Sequence, residues 1–175
     1  MRVREPLHAA APLFPMKRSS NIVLALGAIL LMMTAACSKR DKTIGIEPND
    51  VEMSAAIARA RESLPKFWEV FDKRGRGESD FALKVGITDK NGTEHFWAND
   101  VERRDGAIKG TINNDPNIVA SVKLGDRITI PEADISDWLY MREGKMVGNY
   151  TLRVLLKKMS AREAEQYKQM MAEPE

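Results

Sequence analysis

Glu94 and His95 are the most enzyme-like pair in this 175-residue chain, because a carboxylate beside an imidazole is the least equipment that moves a proton near neutral pH. His95 would act alone in that role: the chain's other histidine, His8, lies in a segment that reads as a cleaved signal. Neighbouring side chains on a strand point to opposite faces, so Glu94 and His95 on one strand need a third group to work together. The simpler expectation packs His95 beside Trp97 on one face with a local hydrogen bond. Asp137 and Trp138 come next, an acid and a large aromatic that could line a small polar-and-aromatic pocket with Glu94. Against that stands a core Trp138, with Asp137 solvated or tied to a turn, which is favoured because tryptophan is commonly buried. The catalytic alternative is therefore a hydrolase or transferase using Glu94, His95 and Asp137. The binding candidates are Glu94, His95, Trp97, Asp137 and Trp138.

Other chemistry is largely excluded. Asp100, Asp105, Asp126 and Asp134 lack the spaced oxygen ligands of a calcium loop, and no His/Cys cluster suits zinc, so no metal and no cofactor is expected. Gly75-Arg76-Gly77 lacks the strand–loop–lysine setting of a phosphate loop. Asn91-Gly92-Thr93 and Asn149-Tyr150-Thr151 match glycosylation sequons only by coincidence in a bacterial setting.

The single cysteine carries a different chemistry. Lys17-Arg18 precedes an apolar run from Ile22 to Ala36, and Cys37 follows directly. A basic start, a short apolar stretch and small residues before a cut mark a secretory signal, and the run is shorter than the roughly 20 apolar residues of a membrane span. Thr34-Ala35-Ala36-Cys37 resembles a bacterial lipobox, with Thr34 where leucine is usual. The expectation is cleavage before Cys37 and acylation of its sulfur, with several chains giving stable anchoring. Residues 1–36 then form the signal peptide, with translation expected to start at Met16, and residues 37–49 an acylated polar tether. Removing residues 1–36 takes away Arg2, Arg4, Lys17 and Arg18 against Glu5, which turns the formal +2 of the chain into −1. With no basic block and an export signal, nucleic acid is not expected as a partner. Ser38 after the cysteine is not the aspartate of an inner-membrane retention signal, which points to the outer membrane in a two-membraned host.

Residues 50–172 make one domain. Met53, Ile57, Ala60, Leu64, Phe67, Trp68 and Phe71 recur at helical spacing, with Pro65 predicting a kink or two short helices, the second capped by Ser63. Phe81, Leu83, Val85 and Ile87 then alternate as on a strand, and Asn91-Gly92, Asp105-Gly106 and Glu143-Gly144 signal hairpin turns. One helical turn is expected at Ile118–Val122, strands at Ile128–Ile130 and Ile135–Met141, and a third from Met146 to Leu156 around Gly148. Ser160-Ala161-Arg162-Glu163 has capping-box spacing for a C-terminal helix. The expected class is α+β: a mostly antiparallel, strongly curved sheet or small open barrel, with a kinked helix before it and a helix after it.

From Asp50 to Leu156 the chain resembles the YegJ-like family of bacterial domains of unknown function. The resemblance lies in Ala55-Ala56-Ile57-Ala58-Arg59-Ala60-Arg61, Phe81-Ala82-Leu83-Lys84-Val85 and Glu94-His95-Phe96-Trp97. It continues through Asn114-Asp115-Pro116, Gly125-Asp126-Arg127-Ile128, Ile135-Ser136-Asp137-Trp138 and Gly148-Asn149-Tyr150-Thr151-Leu152-Arg153. It implies a known, often exported domain type and carries over no catalytic residues. The functional expectation is a membrane-anchored envelope lipoprotein whose domain, without catalysis, binds an envelope protein or a small ligand. The alternatives are the hydrolase or transferase above and a self-associating structural lipoprotein.

Overall fold

The computed structural model describes residues 50–75 and 77–173. The signal segment, the Met16 start, Cys37 and the tether lie outside those residues. The domain opens with α1 (Val51–Lys73), whose first turn is capped by the Asp50 side chain accepting from Met53 N–H at 3.0 Å. Pro65 lies inside this single helix. Neither a break nor a Ser63 cap forms: Ser63 Oγ instead donates back to the Arg59 carbonyl at 2.7 Å and the Ala60 carbonyl at 3.2 Å. An interior proline costs about 3 kcal/mol. Full burial of a large apolar side chain returns about 1.5–3 kcal/mol each, and Leu64, Phe67, Trp68 and Phe71 are all buried on the same face, so packing outweighs the break.

Six strands follow: β1 (Glu78–Asp89), β2 (Gly92–Arg104), β3 (Ala107–Ile112), β4 (Arg127–Thr129), β5 (Ile135–Arg142) and β6 (Lys145–Gly148). They form an open antiparallel sheet in the order β4-β3-β2-β1-β5-β6, a meander from β1 to β4 with β5 returning on the far side of β1. Each hairpin turns where its Asn-Gly, Asp-Gly or Glu-Gly pair sits, with Asp105 and Glu143 at φ 52° and 50°. The α+β class and the helices at both ends are as the residues imply. The sheet does not close into a barrel.

Two local expectations give way. Among the described residues no helical turn forms at Ile118–Val122, because strand-borne carboxylates take the backbone N–H groups that such a turn would use (below). The strand expected from Met146 to Leu156 stops at Gly148. Gly148 and Asn149 both adopt left-handed angles, φ 81° and 51°, and the chain then enters α2 (Tyr150–Leu155). The C-terminal α3 (Ala161–Met170) carries both halves of its capping box between Ser160 and Glu163.

α1 covers one sheet face. Phe67, fully buried, meets the rings of Trp68, Phe71, Phe81, Trp138 and Tyr140 at centroid distances from 4.9 to 6.4 Å. Trp138 adds a hydrogen bond from Nε1 to the Ala60 carbonyl at 2.9 Å, tying β5 to the middle of α1. Leu83 and Val85 line this face, so the alternation on β1 sends Lys84 and Gly86 to the other.

Candidate functional site

On that second face the register aligns Trp97 of β2, Lys84 of β1 and Asp137 of β5 in one row, with His95 opposite Gly86 in the next. A Cβ on Gly86 would lie 3.3 Å from the imidazole Cε1, so the absence of a side chain there leaves room for the ring. The β1–β5 register slips between Lys84 and Val85, which makes Ser136 the extra residue of a bulge. Its hydroxyl lies 3.2 Å from the Lys84 carbonyl and 2.8 Å from His95 Nδ1. A hydroxyl has one proton. It serves either the Lys84 carbonyl or Nδ1, and the contact holds the ring in place in both tautomers.

The row is joined by α2. Lys84 Nζ donates to Thr151 Oγ1 at 3.0 Å and lies 5.6 Å from the Trp97 ring centroid. Thr151 Oγ1 in turn donates to Asp137 Oδ2 at 2.6 Å. Asp137, with no exposed surface, also accepts from the backbone N–H groups of Trp138, Tyr150 and Thr151 at 2.9, 3.1 and 2.7 Å. Burial pushes its carboxyl above the ordinary range, while the Thr151 and Trp138 donors and the Lys84 charge pull the other way. Four donors and no acceptor suit the carboxylate form. Burial lowers the Lys84 pKa, and the Asp137 charge offsets part of that. His95 keeps an exposed edge, but enclosure of its Nδ1 side, then the charges of Lys84 and Arg61, hold it below the usual imidazole value, so it is neutral at pH 7.

The five binding candidates therefore divide. His95, Trp97 and Asp137 share this face. Trp138 is in the core beneath α1, 1% exposed. Glu94 is on the other face and holds a loop: its carboxylate accepts from the backbone N–H groups of Asn117, Ile118 and Val119 at 2.9–3.2 Å. Asp89 does the same for Ala120 and Ser121 at 2.7 and 3.1 Å. Sequence reasoning missed Lys84, Ser136 and Thr151. Lys84 looked like any outward strand position, and no local signal pairs it with Asp137, since only the β1–β5 register does so.

The loop anchor gives an expected pH response. Burial raises the Glu94 carboxyl, but the amides of Ile118, Asn117 and Val119 lower it further, leaving it net below its ordinary 4.5. Stability from a depressed carboxyl is present above its unfolded pKa and lost as pH falls through the folded one. The protection of the amides of residues 117–121, relative to the free-peptide exchange rate at each pH, should therefore fall on acidification below about pH 4.5. Glu94→Gln should show the lower protection already at pH 7, read by hydrogen–deuterium exchange. Unchanged protection in that variant would remove Glu94 from the role.

Beside the row the sheet splits. β1 and β2 pair only as far as Leu83 and Ala98, although β1 runs on to Glu78 along β5 and β2 to Arg104 along β3. Both strands bulge where they part, with Asp80 at φ 53° and Asp100 at φ 48°. The gap is a cleft of about 620 Å³ whose lining includes Trp97, Asn99, Asn113, Asp80, Asp100 and Phe71. Among the described residues no group of three or more His, Asp or Glu side chains is placed to hold a metal ion.

Comparison with known proteins shows a bacterial family. The family model described as "Uncharacterized protein conserved in bacteria (DUF2314)" matches residues 50–172. The chain is 39% identical over 145 residues to Uncharacterized protein YegJ of Escherichia coli (strain K12), covering 82% of this chain and 94% of that one. It is 32% identical over 126 residues to Putative ankyrin repeat protein NMB1133/NMB1171 of Neisseria meningitidis serogroup B, covering 67% of this chain and only half of that longer protein. No solved structure matches. The match spans α1 through α3 and takes in the whole Trp97–Lys84–Asp137 row, and the chain belongs to this DUF2314 family of bacterial proteins.

Proposed function

We propose that this protein is an exported lipoprotein of the bacterial cell envelope, held to a membrane by acyl chains on Cys37, whose domain is a non-catalytic binding module. The address rests on the signal-like run and the Thr34-Ala35-Ala36-Cys37 sequence. The binding role rests on one observation. A half-buried Trp97 lies beside an ammonium, Lys84, with Thr151 Oγ1 as its one hydrogen-bond acceptor among the described residues, at the rim of an open cleft. An aromatic ring beside unspent donors is the usual makeup of a recognition surface. The partner is an envelope protein or a small ligand presented there.

Crosslinking of the tagged full-length protein in intact cells tests this. A captured partner should be lost with Trp97→Ala and kept with Tyr167→Ala on α3, remote in sequence and outside the row. Equal capture by both variants would take the function away from this face.

The hydrolase or transferase reading draws on a neutral His95 with an exposed edge. It lacks the rest of a site: Glu94 is committed to the 117–119 amides, and Asp137 to α2.

A further inference from the structure

We infer that the cleft between the diverging ends of β1 and β2 is a binding site for a neutral polyhydroxylated ring, the chemistry of a sugar unit. This names the ligand class for the binding face proposed above and rests on that reading.

The lining decides the class. Trp97 offers a half-exposed indole, and the C–H face of a sugar ring stacks on such a surface. The indole is held in place from both sides of its own backbone. Trp97 N–H donates to Asn114 Oδ1 at 2.9 Å, and Asn113 N–H donates to the Trp97 carbonyl at 2.9 Å. Around it, the side chains of Asn99, Asn113 and Asp100 have no hydrogen-bond partner in the protein among the described residues, while Asp80 accepts only from Ser79 Oγ at 2.8 Å. Planar amides and carboxylates present paired acceptors and donors, the pattern that neighbouring hydroxyls of a ring satisfy. Both aspartates stand on bulges at left-handed φ.

Charge and polarity weigh against an anion and against an apolar ligand. Arg74 is the cation of the lining: Nε donates to the Phe71 carbonyl at 3.0 Å, and the guanidinium lies 4.0 Å from the Phe71 ring centroid. An anion would meet two carboxylates, Asp80 and Asp100, against the one guanidinium of Arg74 in the lining. A purely apolar ligand would strand the unpartnered amides out of water. The volume, about 620 Å³, is that of a small-molecule site.

The test titrates the full-length protein in detergent with chitotetraose and maltotetraose, both neutral, and with spermidine as a cationic probe. Trp68 and Trp138 are 6% and 1% exposed, so a change in tryptophan emission on binding reports Trp97. A saturable blue shift with at least one glycan is expected, confirmed by calorimetry. Asn99→Ala and Asn113→Ala should each weaken it about tenfold, one hydrogen-bonded group's worth. Tyr167→Ala should leave it unchanged. No saturable response to either glycan, or a response to spermidine alone, would overturn the inference. If cellular crosslinking still depended on Trp97 in that case, the face would remain a binding surface for another partner. If it did not, both readings would fall together.

Discussion

Asp137→Ala is expected to cost the fold about 3–5 kcal/mol, read as a lowered urea midpoint with an unchanged slope. The carboxylate has no exposed surface and takes four donors, three of them backbone N–H groups. Tyr150 and Thr151 are the first residues of α2, so Asp137 caps a helix that begins thirteen residues further along the chain. Alanine would leave those N–H groups and Thr151 Oγ1 buried without an acceptor. It would also leave the half-buried Lys84 ammonium without its counter-charge, and the loss of one partner from a buried pair is the costly case. Asp137→Asn keeps one acceptor oxygen but turns an NH₂ towards donors, and should fall between. A loss below about 1 kcal/mol for the alanine variant would show that the row is held by packing alone.

Gly148→Ala is expected to destabilise by about 2–5 kcal/mol, from two sources that add at one atom. The residue sits at φ 81°, where an L side chain costs roughly 1–2 kcal/mol. The new methyl would lie 2.5 Å from Trp138 Cε3 and 2.6 Å from Cζ3, and closer still to the Trp138 carbonyl. Overpacking of that kind costs about 1–3 kcal/mol, and relieving it here means shifting the Trp138 backbone as well as the indole that donates to the Ala60 carbonyl. The near-ultraviolet circular dichroism of Trp138 should weaken along with the urea midpoint. A shift within about 0.5 kcal/mol would mean that the junction relaxes freely. Both substitutions act on the turn from β5 and β6 into α2, so the double variant should lose less than the sum of the two.

Much of the frame was legible because its causes are local. Met53, Ala60, Leu64, Phe67, Trp68 and Phe71 lie at helical spacing and are all buried; Ile57, on the same stripe, is only half-covered. The Asp105-Gly106 and Glu143-Gly144 turns need left-handed residues that their types supply. Ser160 and Glu163 satisfy each other's backbone within one turn. The Pro65 break was overestimated because a local cost of about 3 kcal/mol was set against no knowledge of what the rest of the helix buries.

The site was legible only in pieces. That Glu94 and His95 face opposite ways follows from strand geometry, and so does the company of His95 and Trp97. Glu94 as a loop anchor, Lys84 as the partner of Asp137, and Ser136 as the group that meets His95 Nδ1 were not readable. Each depends on a register or a bulge between segments distant in sequence.

The sequence by itself determined the buried face of α1, the hairpin turns, the α+β class and the strand alternation that separates core from outer face, because these follow from residue type and spacing within a few positions. Only the tertiary structure decided that β5 lies beside β1, that Gly148 ends a strand against Trp138, and that β1 and β2 part to leave a cleft. Those outcomes are set by side chains and backbone groups meeting across the sheet, where neighbours along the chain carry no information about neighbours in space.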